Sequence, residues 1–468
     1  MIPTCRILTS VSARYLSFNV DAAQVVGGLF WNESGKVDGS AGGNARVPPY
    51  DFTRPKLKNL VRELAPAYMR IGGTASDQVF YDLSGKVSSM PPRYDHVLTR
   101  QMWDSAAQFA KENGLEIMFT LNAGPGPRDS RGRWDSSNAR ELMAYSRETG
   151  VPVTAWGLGN EPNYLPFAYG MWLTMDQLAD NYRKLRTLRD ELDPKARMLG
   201  PACAFWPVTG ELMPVFPSFM QKGGSMLDVV TWHYYPQQST RSPYASRRAS
   251  LSLALRPDFL DEVGKWSRFV HRCRDRYVPS AEVWCQETGN AQCGGQPGLS
   301  DRFIAGIWWL DQLGLMARMG EKVVVRQNLS GADYSLLDER TLEPNPDYWN
   351  SLLWKRLMGS EVLDLEVRPL RPDLRVYAHN TERRPGFVTI LALNLSQTET
   401  LRLDLEGREV EVYTLSAPDP LGKEVYVNGQ RLTPDAEGKV PDIEPVYNGS
   451  GCVPLGPVNY AFLILRIQ

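Results

Sequence analysis

The sequence predicts an α/β fold, a (β/α)8 TIM barrel followed by a smaller β-sandwich that also takes in the N-terminal strand. Three observations carry this. Between residues 15 and 345, short runs of β-branched and aromatic residues alternate with amphipathic runs of helical period. Eight strand runs of this kind can be counted, which is the number that closes a parallel barrel. Beyond residue 346 helical spacing fades, and short alternating runs take over, separated by turn residues. The expected domains are therefore residues 1–14 (strands joining the sandwich), 15–345 (the barrel) and 346–468 (the sandwich).

The elements follow in order. Residues 1–14 alternate apolar and polar side chains and need a strand partner outside the barrel. The first barrel strand, 15–22, carries Asp21 at its end. A helix over 55–64 precedes the second strand, 68–73. Residues 95–113 read as one helix, with Val97, Leu98, Trp103, Ala106, Ala107, Phe109 and Ala110 as its apolar positions and Gly114 as its stop. Strand 116–122, helix 138–149, strand 154–161, helix 175–192 and strand 197–202 continue the alternation. Strand 227–235, helix 259–277, strand 282–287, helix 301–318 and strand 322–328 complete it. In the last domain, runs at 375–379, 387–395, 401–405, 409–415, 424–427 and 460–467 are strands, with Asn428-Gly429 and Asn448-Gly449 as turns.

Composition narrows the function. At 468 residues the chain exceeds one ordinary core. A net charge of −1 argues against a general nucleic-acid binder. No apolar run approaches the roughly 18 residues of a membrane span. The six cysteines lack zinc-type spacing, although their even number permits disulfides. With four histidines there is no His-Glu-x-x-His pair, no Gly-x-Ser-x-Gly elbow and no phosphate loop. The start of the chain lacks the charged and apolar regions of a signal peptide. No metal or organic cofactor is expected, and a monomer is.

Two glutamates stand out. Glu161 lies in Trp156-Gly157-Leu158-Gly159-Asn160-Glu161-Pro162-Asn163, and Glu287 in Glu282-Val283-Trp284-Cys285-Gln286-Glu287-Thr288. Each closes a strand run, the fourth and the seventh. In a barrel of this kind chemistry sits at the C-terminal strand ends. A lone glutamate at a strand end is usually a solvated surface group; two converging on one barrel face suit glycoside hydrolysis, which needs a proton donor and a nucleophile or base. For a retaining reaction the carboxyls are expected about 5–5.5 Å apart, with one pKa raised.

The Asn160-Glu161-Pro162 motif resembles the acid/base motif of retaining glycosidases of clan A. More narrowly, several segments resemble the heparanase family, glycoside hydrolase family 79. They are Leu64-Ala65-Pro66-Ala67-Tyr68-Met69-Arg70-Ile71-Gly72-Gly73-Thr74, the Trp156–Asn163 run and Val230-Thr231-Trp232-His233-Tyr234-Tyr235. Glu287-Thr288 with Cys293-Gly294-Gly295, Trp309-Leu310-Asp311-Gln312-Leu313-Gly314-Leu315, Val325-Arg326-Gln327 and Pro346-Asp347-Tyr348-Trp349 follow in order. The resemblance implies Glu161 as acid/base and Glu287 as nucleophile. It implies that Asp21, Thr74 and Gln327 line a uronic-acid pocket. It further implies that backbone N–H groups near Gly294 and Gly295, with Tyr334, receive the sugar carboxylate. The family run there is Gly-Gly-Gly, where this chain has Cys-Gly-Gly. Asn160 is placed to meet the sugar 2-hydroxyl. Either Tyr234 or Tyr235 could orient the nucleophile, and His233 belongs either to the cleft or to the barrel core.

The implied activity is a retaining endo-β-glucuronidase acting on heparan sulfate. An exo-acting β-glucuronidase of the same family and a non-catalytic heparan-sulfate-binding relative are the alternatives. The implied location is secreted or periplasmic. Sulfate calls for cations, and Arg128, Arg131 and Arg133 after the third strand, with Arg241, Arg247 and Arg248 after the sixth, are the candidates. Family members have lysines soon after Asn-Glu-Pro-Asn, whereas residues 164–171 here are aromatic and apolar. Mammalian members carry a removable segment between the second and third strands; residues 74–94 here leave little room for one, so activity without proteolysis is expected.

Overall fold

The computed structural model describes residues 2–31, 44–205, 214–242, 245–367 and 371–467. Eight parallel strands close into a barrel: Leu16–Asp21, Ala67–Gly72, Leu115–Leu121, Val153–Leu158, Arg197–Phe205, Val229–Tyr234, Glu282–Thr288 and Val323–Arg326. Each pairs with its successor, and the eighth returns to the first, with Val324 opposite Leu16. The seven inter-strand stretches carry the helices that bury their apolar faces on the barrel, such as Arg100–Glu112, Ser137–Thr149, Met175–Leu192 and Ala305–Met319.

One expected helix is shorter than its sequence suggests. Residues 95–113 do not form one element. His96–Thr99 is instead a strand, paired in parallel with Val79–Asp82, and the helix begins at Arg100. Thr99 explains the break: its hydroxyl accepts from the Met102 N–H and caps the helix, while Val97 and Leu98 are free to extend as strand. The segment after the second barrel strand is thus a small built unit of its own.

The barrel interior is filled in layers. At its N-terminal end Tyr68, Met118, Ala155, Leu199, Val229, Trp284, Val323 and Val325 form a closed apolar floor. Tyr68 and Trp284 meet with ring centroids 5.1 Å apart. Beneath them Arg14 pairs with Glu116 at 2.6 Å and Arg197 with Glu282 at 2.5 Å. One residue pair higher on the same strands the side chains become polar: Asn19, Arg70, Thr120, Thr231, His233 and Gln286, all buried. Period-2 alternation sends residues i and i+2 into the same interior, so Tyr68 and Arg70 stack on one strand.

The second unit is antiparallel. Ile2–Ser10 pairs with Met358–Glu366, and that strand opens a nine-stranded sheet. Leu401–Asp404 and Cys452–Leu455 form a two-stranded sheet facing it. Between them lies a core that includes Leu363, Val388, Ile390, Leu403, Val412, Val453 and Leu463. Among the described residues, no helix is long and apolar enough to cross a membrane. Cys203, Cys273, Cys285, Cys293 and Cys452 are free thiols.

Candidate active site

The polar end of the barrel opens on a cluster centred on Arg70. This arginine is fully buried on the second strand. Its Nη1 donates to Glu287 Oε2 at 2.6 Å and to Asn19 Oδ1 at 3.3 Å, and its Nη2 donates to Asn160 Oδ1 at 2.8 Å. Room for the guanidinium comes from Gly72: a Cβ there would stand 2.6 Å from Arg70 Cζ. A buried guanidinium is tolerated only when its donors are satisfied by charged or polar partners. Here those partners come from the first and seventh strands and from the turn after the fourth.

Glu287, near the end of the seventh strand, also accepts from the Tyr235 hydroxyl at 2.7 Å. Of the two tyrosines left open by the sequence, Tyr235 reaches the carboxylate. Tyr234 is buried, and its carbonyl accepts from the Thr288 hydroxyl.

Glu161 arrives differently. The fourth strand ends at Leu158, and the chain then turns sharply, with Gly159 at φ 75° and Glu161 at φ 48°. Glycine is required at 159, because a Cβ would come within 3.0 Å of the Ala123 methyl. Glu161 holds a left-handed conformation unusual for a side-chain-bearing residue, a strain often found at functional sites. Asp77 holds the turn in place: its carboxylate accepts from the Ala123 N–H at 2.8 Å and the Asn160 N–H at 2.9 Å.

His233 stands between the two glutamates. Its Nδ1 is 3.0 Å from Glu161 Oε1 and 3.7 Å from Glu287 Oε2. One oxygen of each glutamate and a His233 ring nitrogen all fall within 4.8 Å of one another. Such a trio could in principle hold a cation, but the Arg70 guanidinium already contacts Glu287 and opposes one. The two carboxyls are biased in opposite directions. Burial, the largest influence, raises Glu161 above the usual carboxylate range against the pull of His233, and the nearby Glu287 charge adds to the rise. Burial pushes Glu287 upward too, but His233, Arg70 and Tyr235 together outweigh it and hold that carboxyl below its usual range.

Around this pair lie the other expected pocket residues. Asp21 Oδ2 accepts from Gln327 Nε2 at 3.3 Å, and Gln327 Oε1 accepts from Asn19 Nδ2 at 2.5 Å. Burial lifts the Asp21 carboxyl to about 7, with the Glu287 charge contributing. Tyr334 is buried, shares a hydrogen bond with Gln327, and has its ring centroid 6.5 Å from that of Tyr235. Cys293, Gly294 and Gly295 run consecutively at φ 65°, 80° and 81°, a curl in which two glycines meet no Cβ penalty. Gly295 lies against the Tyr334 backbone, 2.7 Å from where its own Cβ would stand. Thr74, exposed at the rim, accepts from the Tyr169 hydroxyl through its carbonyl at 2.6 Å.

Two of the sulfate candidates must be withdrawn. Arg128 is buried, and its guanidinium donates to the carbonyls of Ala123, Gly124 and Gly132. Arg241 is also buried, donating to the Gly294 carbonyl at 3.1 Å, the Gly295 carbonyl at 2.8 Å and the Asp333 carboxylate. Both arginines shape loops from within, so their donors are already engaged. Arg247 pairs with Glu262, and Arg248 donates to the Ser242 carbonyl. Arg131 and Arg133 are exposed, Arg133 with an ion pair to Asp129 at 2.8 Å.

Sequence reasoning did not single out Arg70, Asn19 or Asp77. A signal was present for Arg70: an arginine inside the apolar run Ala67–Gly72 cannot be buried without an anionic partner.

Comparison with known proteins agrees with this architecture. The model of "Glycosyl hydrolase family 79, N-terminal domain" matches residues 7–314. Heparanase of Bos taurus is 33% identical over 525 residues, covering 99% of this chain and 90% of its own. Inactive heparanase-2 of Homo sapiens is 30% identical over 397 residues, covering 79% of this chain and 64% of its own. Among solved structures, a 4-O-α-L-rhamnosyl-β-D-glucuronidase from Fusarium oxysporum superposes with a TM-score of 0.68 at 16% identity, covering 99% of this chain and 98% of the other, which is a likeness of fold. With a family match across more than half its length and a glycosidase barrel beneath it, this chain belongs to glycoside hydrolase family 79.

Proposed function

We propose that the protein is a retaining endo-β-glucuronidase that cleaves heparan sulfate beside glucuronic acid by double displacement. The observation that carries the reading is the pair of close, oppositely biased carboxyls. One oxygen of each lies within 4.8 Å of the other, a closeness that favours direct attack over the wider carboxyl spacing by which an inverting enzyme admits water. Glu287, kept ionised by Arg70 and oriented by Tyr235, is the nucleophile on the anomeric carbon. Glu161, kept protonated by burial, gives its proton to the leaving oxygen and then deprotonates the water that releases the sugar. His233 stands between the two carboxyls and faces both. Because Arg70 fixes the carbonyl end of Asn160, its amide end is left to donate to the sugar 2-hydroxyl.

The uronic carboxylate is received by N–H groups of the Cys293–Gly295 curl together with Tyr334. Arg241 holds the carbonyls of Gly294 and Gly295, which supports amides turned the other way, towards an anion. Asp21, Gln327 and Thr74 frame the remaining hydroxyls. Likeness to a heparanase across nearly the whole chain supports the polymer substrate. The presence of both glutamates, with Arg70 and Tyr235 on the nucleophile, opposes a purely binding role. The work is done without a cofactor or partner chain, outside the cytoplasm.

The test is chemical. Glu287→Ala should lower turnover by at least roughly 10⁴-fold, and azide should restore part of it as a glycosyl azide of inverted configuration. Glu161→Ala should spare the first step for substrates with good leaving groups. Normal cleavage of heparan sulfate by either variant would sink the assignment. Sizing the products separates the modes: oligosaccharides mean endo action, and free glucuronic acid alone means the exo alternative.

A further inference from the structure

The residues following Glu161 make a surface that the proposed chemistry does not yet use. If Glu161 protonates the leaving oxygen, whatever is attached to that oxygen must lie beside Glu161. What lies there is aromatic. The Tyr164 N–H donates to the Glu161 carbonyl at 2.7 Å, which fixes the start of the segment to the acid. The Tyr164 ring packs against the apolar cluster that contains Tyr235 and Tyr334, at the mouth of the site. On its other side Tyr164 stacks with Phe167, centroids 5.8 Å apart and planes 24° from parallel. Phe167 stands on the short helix Leu165–Tyr169 and is 61% exposed. The helix is braced from the opposite rim, where the Tyr169 hydroxyl donates to the Thr74 carbonyl. Trp172, just beyond, is 70% exposed.

Charge points the same way. From Pro162 to Tyr182 the sequence contains no lysine or arginine. A sulfate on the sugar at this position would find no cation on this segment. A single exposed phenylalanine is ordinary on a protein surface. Two stacked rings, anchored to the acid and braced across the rim, are a built platform.

We infer that Tyr164 and Phe167 form a stacking platform for the sugar on the leaving-group side, and that they select a ring presenting an uncharged C–H face, that is, an unsulfated hexosamine. This rests on the reading of Glu161 as the acid. Specificity there comes from contact area rather than from ion pairing, so sulfation at that sugar is not required for cleavage.

Three substrates test it on the full chain: an unsulfated alternating glucuronic acid–N-acetylglucosamine polymer, a heavily sulfated heparan chain, and β-glucuronosyl fluoride, which has no ring on the leaving-group side. The ratio of kcat/KM on the unsulfated polymer to kcat/KM on the fluoride should fall about tenfold in Phe167→Ala, the scale of one aromatic contact. Phe167→Lys should shift preference towards the sulfated chain. Phe167 is solvent-facing, so circular dichroism and the melting temperature of both variants should match the parent protein. A parent enzyme that strongly prefers the sulfated chain overturns the platform. So does a Phe167→Ala protein whose polymer-to-fluoride ratio is unchanged. A parent inactive on the polymers and the fluoride overturns the glucuronidase reading itself, a different failure.

Discussion

The two ends of the barrel interior are made by the same eight strands and are built on opposite principles. At the N-terminal end Tyr68 and Trp284 sit in an apolar layer sealed by ion pairs that remain partly in solvent. There the charges are peripheral and the packing carries the stability. Two residues further along the second strand stands Arg70, buried and bonded to Glu287, which lies three residues beyond Trp284, past a register shift in the seventh strand. There the charge is central, and desolvation makes it expensive to keep. The lesson is that a strand can change from structural to chemical duty within a few residues: on the second strand alternation returns every second residue to the same interior, and on the seventh a register shift delivers Glu287.

Substitutions at the two ends should therefore fail in different ways. The largest effect is expected at the polar end: Arg70→Met should lower kcat by about 10²–10³-fold, the scale of losing one preorganised charge contact. The sign of its pH effect follows from the site. Arg70 helps hold Glu287 below the usual range, so its removal raises that carboxyl, and the acid limb of the kcat profile should move to higher pH. An unmoved acid limb would mean that Arg70 only packs the barrel. At the floor, Trp284→Ala should cost about 3–5 kcal/mol of stability in chemical denaturation. Activity per folded molecule should be nearly kept. If it fell as far as in the Arg70 variant, the proposed division between the ends would be wrong.

A smaller effect separates the ends by pH. Burial raises Asp21 to about 7 and Asp77 to about 6 from an ordinary 3.8. A carboxyl raised in the folded state keeps its proton longer than in the unfolded chain. Stability is therefore lost as pH rises from about 4 to about 7. Melting temperatures across that window should show the decline, and Asp21→Asn with Asp77→Asn should flatten it. The smallest effect concerns the rim. Arg131→Ala with Arg133→Ala should weaken binding of sulfated chains only severalfold, as for exposed charges, and the difference should vanish at high salt. Equal weakening on unsulfated chains would point to a folding defect instead.

Much of this was legible in the sequence, and the boundary is physical. Strand runs ending in turn residues placed Glu161 and Glu287 at strand ends, because β-branched runs and breakers are local signals. Pairings are not local: Arg70 and Glu287 are 217 residues apart, and no spacing in the chain announces their bond. The Asn19–Gln327 bond, spanning 308 residues, is hidden for the same reason. Arg128 and Arg241 show the converse. Their charge was visible, but whether a guanidinium meets solvent or its own loop's carbonyls depends on how that loop curls. Val97 and Leu98 fit the helical stripe, so periodicity alone carries the helix back through His96–Thr99; the Thr99 cap that starts it at Arg100 is a single polar residue in the pattern.

The pairing of Ile2–Ser10 with Met358–Glu366 sets a timetable for synthesis. The early strand leaves the ribosome before the barrel, and its partner follows only after roughly 350 further residues, on the order of 20–70 s at ordinary elongation rates. Throughout that interval it has no ladder to join. Even in the finished sheet it remains at the edge, with Ile7 and Leu8 facing solvent. Unpaired strands of this kind are templates for association with other chains. The nascent protein thus passes through a vulnerable stage that ends only when the second unit emerges. Truncation after the barrel would make that stage permanent, so a catalytic fragment lacking the sheet should aggregate even though every residue of its cleft is present.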